Sequence, residues 1–228
     1  HSIVIRSWQK GAGLPDVPFR EKEFDTGLRA AIELMLRTSN NDLHRIVVVV
    51  NTDQRFDRFK GEYIDDDNGS PTMSALSNAF GTDIDILTTE DWGNNAGSAN
   101  ALNVGWKYVV THHQSIDCIL SWNPEMALTS HHVSRMRQHM YEHSLEVCGY
   151  LREGHWERPQ FGLFQNTAAL YRIEALKEID GFNPLCDGKN GETINVKPLG
   201  SVIFAGMDDQ EFFLRLVKSR NDIPRIGM

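Results

Sequence analysis

Ile46-Val47-Val48-Val49-Val50 is a run of β-branched residues with no polar interruption. Such side chains are stiff at χ1 and pack well on a pleated surface. A strand with one face in water alternates apolar and polar residues. This one does not, so it is expected to be buried on both faces of a largely parallel sheet. Working outward, Ile3-Val4-Ile5, residues 84–89 and Cys118-Ile119-Leu120-Ser121-Trp122 read as three more strands. Helical patterns lie between them. Leu28, Ile32, Met35 and Leu36 mark one face of a helix over 25–37, with Asp25 as its cap. Further helices are expected over 72–80, 95–110 and 131–145. Strands alternating with helices predict a single α/β domain, a mainly parallel sheet with flanking helices.

The 228 residues suffice for one large domain or two small ones, and neither an internal repeat nor a low-complexity linker divides them. Hydrophobic content is 40% and charged content 24%, which places the chain among ordinary globular proteins. A net charge of -8 with no long basic run argues against nucleic acid as the main partner. Cys118, Cys148 and Cys186 are odd in number, widely spaced and without a Cys-x-x-Cys, which favours reduced thiols in the cytoplasm. No apolar stretch approaches the length of a membrane span, so a membrane-surface location needs another kind of attachment. The chain opens on His1 rather than Met and enters a strand pattern without a leader, which reads as a trimmed start. The segment Ile223-Pro224-Arg225-Ile226-Gly227 reads as a strand approach, so the chain is expected to continue past Met228.

Chemistry points to Asp208-Asp209, which opens the amphipathic run Gln210-Glu211-Phe212-Phe213-Leu214-Arg215-Leu216. A carboxylate within hydrogen-bond reach of a hydroxyl can take its proton, and burial or a like-charged neighbour raises its pKa toward the working range. Two acids at a helix start also cap free amides and complement the helix dipole, so the pair alone admits both readings. Upstream lies Ala175-Leu176-Lys177-Glu178-Ile179-Asp180-Gly181-Phe182-Asn183-Pro184, a helix closing on Gly-Phe-Asn.

Together these two segments resemble the acceptor-side half of the GT-A glycosyltransferases, family 2-like. There a helix and Gly-Gly-Phe-Asp/Asn precede a loop, a Glu-Asp pair and an Arg-Leu. The resemblance implies that Asp209 serves as the catalytic base with Asp208 beside it. Other segments resemble the same family in the same order. Val50-Asn51-Thr52-Asp53 stands where the family holds the nucleobase, with the acid displaced, so Asn51 or Asp53 takes that role. Asn95-Ala96-Gly97-Ser98-Ala99-Asn100 resembles a helix start beside the nucleotide, which implies that Asn95, Gly97 and Asn100 bind it. Small residues there permit close approach, and free amides face an anion. Without the resemblance, the same residues make a tightly packed, Asn-capped helix. Asn123 and Glu125 occupy the family's Asp-x-Asp position and are implied to hold Mg or Mn through oxygen. Gln165 and Asn166 are implied to bond sugar hydroxyls, and Trp122 is kept as a sugar platform.

The resemblance implies transfer of a sugar from a nucleotide-diphosphate donor to a glycan or other hydroxyl acceptor, with inversion. Two other readings stay open. The lower charge of the Asn123/Glu125 pair fits a catalytically silent GT-A domain that binds nucleotide or glycan. Lys10-Gly11-Ala12-Gly13 hints faintly at a nucleotidyltransferase. Other features are set aside. Asp65, Asp67 and Gly69 lack the closing Glu of a calcium loop. His131, His132, His139 and His143 share a predicted helix without the Glu that follows the first His in a zinc-protease helix, so a solvated or interface face is expected. Residues 152–160 read as a mobile loop over the acceptor side.

Overall fold

The computed structural model describes residues 2–7, 25–39, 43, 45–50, 55–57, 62–64, 71–88, 97–113, 115–124, 126–149, 168–183, 193–196, 200–203, 208–222 and 225–227. Strand β1 is Ser2–Ser7. A π-helical turn, Asp25–Arg29, leads into helix α1, Ala30–Thr38. Strand β2, Arg45–Val50, contains the Val run. The chain continues through β3, Arg55–Asp57, and β4, Glu62–Ile64, to helix α2, Pro71–Phe80, and strand β5, Asp85–Thr88. Helix α3, Gly97–His112, precedes β6, Cys118–Trp122. Helix α4, Ser130–Glu142, precedes β7, Val147–Gly149. Strand β8, Ala168–Arg172, runs directly into helix α5, Ile173–Glu178. Then come β9, Thr193–Val196, β10, Gly200–Ile203, helix α6, Asp208–Arg220, and β11, Ile226–Gly227.

The main sheet has seven strands in the order β11-β7-β8-β6-β1-β2-β5. Strands β6, β1, β2 and β5 are mutually parallel, and β11 is parallel to β7. Strand β8 is antiparallel to both of its neighbours. The Val run has the two-sided burial its composition predicts. Ile46, Val48 and Val50 face one layer with Leu28, Ile32, Met35 and Leu76. Val47 and Val49 face the other with Leu102, Trp106 and Val109. All five residues of the run are 0–2% exposed. Burying each such side chain contributes about 1.5–3 kcal/mol.

Three expectations need correction. The helix over 25–37 is not a single α-helix. Its first turn is π-helical, and α1 starts behind Arg29 with no side-chain cap bond; Gly27 in that turn weakens the α preference. The stretch that leads into the acidic residues 65–69, for which no strand was expected, contains β4, which pairs with β3 in register Phe56↔Tyr63. Tyr63 and Ile64 favour the strand, and the four residues between the two strands are a common hairpin length. The third concerns Trp122 and is taken up below. Cys118 and Cys148 are buried free thiols, in keeping with the reduced state expected. Burial pushes them up to about 12 and about 11. The acidic segment 65–69 and the loop 152–160 lie outside the described residues, as does Cys186. No described helix is long and apolar enough to cross a membrane.

Helix α4 is tied to the amino end of β6 by a polar cluster. Arg137 Nη2 donates to Asp117 Oδ2 at 2.7 Å, and the Tyr141 hydroxyl donates to the same oxygen. The Arg172 guanidinium lies 4.6 Å from the Tyr141 ring centroid. Burial alone would raise the Asp117 carboxyl. The bonds from Tyr141 and Arg137 outweigh it and hold the group well below the usual carboxylate range. A depressed carboxyl stabilises the fold above its unfolded value, about 3.9, and that contribution is lost as pH falls through the folded value. D117N is therefore expected to lose roughly 1–2 kcal/mol at pH 7, a moderate figure because the cluster is one-third exposed. The gap to the parent chain should narrow below about pH 4. Urea unfolding at the two pH values checks this, and an unchanged gap would mean that Asp117 does not titrate with folding.

Candidate active site

Four parallel strands bring their carboxyl ends to one edge of the sheet. Val50 pairs with Ser7 and with Thr88, and Ile5 pairs with Trp122. Strand β8 runs the other way, so its first residue, Ala168, also sits on this edge, opposite Trp122. Ligands of open α/β sheets bind outside the carboxyl ends of the strands. Asn51, Asp53, Asn95, Glu125, Gln165 and Asn166 all lie outside the described residues. The described elements that adjoin them in sequence, the end of β2, the start of α3, the end of β6 and the start of β8, include three of these strand ends.

The described candidates fall into two groups. Gly97 is the first residue of α3, and Asn100, half-buried, lies in its first turn. Asn123 follows β6 directly. Its carbonyl accepts from the Met126 amide at 3.0 Å, and the Trp122 indole N–H donates to the Met126 carbonyl at 2.8 Å. Those bonds close a turn at the strand end. They also place Trp122 in the core at 0% exposure, among Leu120, Leu128 and Ala168. Trp122 is therefore not a sugar platform. On a strand covered on both faces, its ring is buried whichever way it points. Asp208 and Asp209 are the first two residues of α6.

What holds α6 in place is a network around Gly181-Phe182-Asn183. Asp180 and Gly181 have φ of 54° and 74°, the left-handed turn that ends the helix. A Cβ on Gly181 would lie 2.3 Å from Trp106 Nε1 and 2.4 Å from Asn103 Oδ1. Asn103 on α3 uses its whole amide. Nδ2 donates to the Phe182 carbonyl at 2.6 Å, while Oδ1 accepts from the Phe182 amide at 2.8 Å and from the Trp106 indole at 2.9 Å. From the other side Arg215 donates to the carbonyls of Ile179 and Gly181, and its Nε donates to Glu211 at 2.8 Å. Glu211 is 9% exposed and also accepts from Asn183 Nδ2 at 3.3 Å. Beneath the turn, the rings of Tyr171, Phe182 and Phe212 meet with centroids 5.0–5.3 Å apart.

Asp208 and Asp209 thus open a helix whose second turn is locked to the Gly-Phe-Asn turn, and through Asn103 to α3. Sequence reasoning used Arg215 and Gly181 as markers and missed what they do. It also passed over Asn103, Trp106 and Glu211. Glu211 and Arg215 could have been paired from their i,i+4 spacing. Asn103 and Phe182 are 79 residues apart and carry no local signal.

No protein-family model matches the sequence, and no curated protein matches it. Solved structures do. A mannosyltransferase from Pyrobaculum calidifontis, in complex with GDP-Man and Mn2+, superposes with a TM-score of 0.59 at 10% identity over 100% of this chain. TarS 1-349 from S. aureus, in complex with UDP-GlcNAc, superposes at 0.56 with 13% identity, again over 100%. Glucosyl-3-phosphoglycerate synthase from Mycobacterium tuberculosis, with phosphoglyceric acid, superposes at 0.52 with 10% identity over 99%. The fold is that of the GT-A glycosyltransferases. At such identities the likeness shows the GT-A fold and nothing finer. The chain spans 53% of the mannosyltransferase and 55% of TarS, a little over half of each, and 69% of the synthase.

Two substitutions test the network that holds the start of α6. G181A forces a side chain into a left-handed turn and against Trp106, and is expected to cost roughly 2–4 kcal/mol. N103A strands the Phe182 amide and the Trp106 indole, at about 1–3 kcal/mol for a buried group left unpaired. Thermal or urea unfolding reads both. Full retention of stability by either variant would show that the turn is not held as described.

Proposed function

We propose that this chain is the donor-binding and catalytic domain of a glycosyltransferase that transfers a sugar from a nucleoside-diphosphate donor to a hydroxyl acceptor. The observation that carries the reading is the joining of α3, which opens beside the carboxyl edge, to α6, which begins with Asp208-Asp209. Asn103 and Arg215 make that joint. The nucleotide would be held by Asn51, Asp53, Asn95, Gly97 and Asn100, with Gln165 and Asn166 at the sugar. Asp209 would accept the proton of the acceptor hydroxyl. The hydroxyl oxygen then bonds to the anomeric carbon as the bond from that carbon to the diphosphate oxygen breaks, which inverts the centre.

Asn123 and Glu125 would offer an amide and a carboxylate, an all-oxygen donor set that fits Mg or Mn better than zinc. Bound there, the cation would offset charge developing on the leaving diphosphate. The donors named with the similar structures differ, GDP-Man in one and UDP-GlcNAc in another. One observation favours a second reading, a GT-A domain that binds nucleotide without turnover: Asn123 is neutral where the resemblance expects an acid.

A panel of GDP- and UDP-sugars, with and without Mn, should raise the unfolding temperature selectively; ligand at 100 times its Kd stabilises by about 2.7 kcal/mol. With the donor known, D209N is expected to lower kcat by about 10²–10⁴-fold while nucleotide binding persists. Unchanged turnover would sink the base assignment. Binding without turnover in the parent chain would favour the silent domain.

A further inference from the structure

The carboxyl end of α4 carries a side-chain cluster that glycosyl transfer does not use. His139, Glu142 and His143 each present one ligand atom, and these atoms lie within 4.8 Å of one another. The order His-x-x-Glu-His sets the two imidazoles one helical turn apart and the carboxylate between them on the same side. The His143 amide still bonds to the His139 carbonyl at 3.1 Å, so the helical phase holds through the last residue. The two rings stand 4.4 Å apart, centroid to centroid. Among the described residues, no hydrogen bond or ion pair engages either imidazole. Gln138 Nε2 donates to Glu142 Oε1 at 2.7 Å, which steadies the carboxylate and leaves its second oxygen for another partner. Glu142 and His143 are exposed, and His139 is half-buried.

We propose that His139, Glu142 and His143 form a zinc-binding site at the end of α4, separate from the candidate active site. Two imidazoles and one carboxylate are a donor set that zinc takes readily, whereas Mg and Ca prefer oxygen alone. Tetrahedral zinc with bonds near 2.0–2.1 Å holds its ligand atoms about 3.3 Å apart. Small side-chain rotations on an exposed helix end close the remaining distance. Three protein ligands leave the fourth position to water. Gln138 would act as the outer partner that orients the carboxylate.

The site's location separates it from the nucleotide edge. Tyr141 and Arg137, on the same stretch of α4, bond to Asp117, the residue before β6. The candidate active site lies beyond Trp122, at the other end of that strand. A cation here would link positions i, i+3 and i+4 and pin the last turn of α4 where the chain enters β7. The helix surface read from sequence as merely solvated thus becomes a chelating face once the third ligand is placed beside the two histidines.

A competition titration of zinc against a chromophoric chelator near pH 7, on the whole chain without nucleotide, tests this. The expected result is one zinc per chain with a micromolar Kd. H139A and H143A should each weaken binding at least tenfold, and E142Q by several-fold, with far-UV circular dichroism confirming that each variant folds. Failure of the parent chain to compete at micromolar zinc overturns the proposal. So does parental affinity in H139A/H143A, which would move the metal to the other histidines or the cysteines.

Discussion

The side-chain amide of Asn103 is satisfied by the backbone of Phe182, and much of the candidate site depends on that arrangement. One amide oxygen takes two donors and one amide nitrogen reaches the carbonyl, so both polar groups of Phe182 are paired in a buried place. Only a residue with both a donor and an acceptor on one side chain can do this. Because α5 ends there in a left-handed turn, the Asn103 amide replaces backbone partners that no sheet or helix supplies. Arg215 completes the enclosure by taking the carbonyls of Ile179 and Gly181. A lysine at 215 would offer one point charge where two divergent carbonyls and a carboxylate need a planar fork.

This division of labour explains why the acid pair is separable from its support. Glu211, four residues before Arg215, is neutralised by it and held by Asn183, and so belongs to the scaffold. Asp208 and Asp209 precede that scaffold by less than a turn. A helix start fixed by its own second turn keeps its first turn, which opens with Asp208 and Asp209, in register.

The parts of the fold legible in sequence were those set by local pattern. The Val run gave β2 and its two-sided burial, and Cys118-Ile119-Leu120-Ser121-Trp122 gave β6 with its bounds. The helices were placed to within a few residues, because apolar periodicity is a local property. The order of strands was not legible. That β8 inserts antiparallel between β6 and β7 depends on pairings across some fifty residues to β6 and some twenty to β7, and no periodicity encodes them. The acid pair marked the start of α6. The reading of Trp122 as a sugar platform erred because a motif's neighbour in sequence can point to either face of a strand, and here both faces are core. Asn103 escaped notice because its partner lies far along the chain and its own position reads as ordinary helix.

Among the described residues, the sheet is bounded by two short strands, β5 with four residues on one side and β11 with two on the other. The edge of a sheet is a template for unwanted pairing with another chain. Asp85, at the start of β5, holds the Arg45 guanidinium at 2.6 Å and so sets a charged pair on one border. At the other, the residues leading into β11 are held by Glu146, whose amide and carboxylate both bond to Arg225. Among the described residues, the long apolar strands β1, β2, β6 and β8 are interior to the sheet. Resistance to edge-to-edge pairing on the β5 border follows from the charged pair at its start.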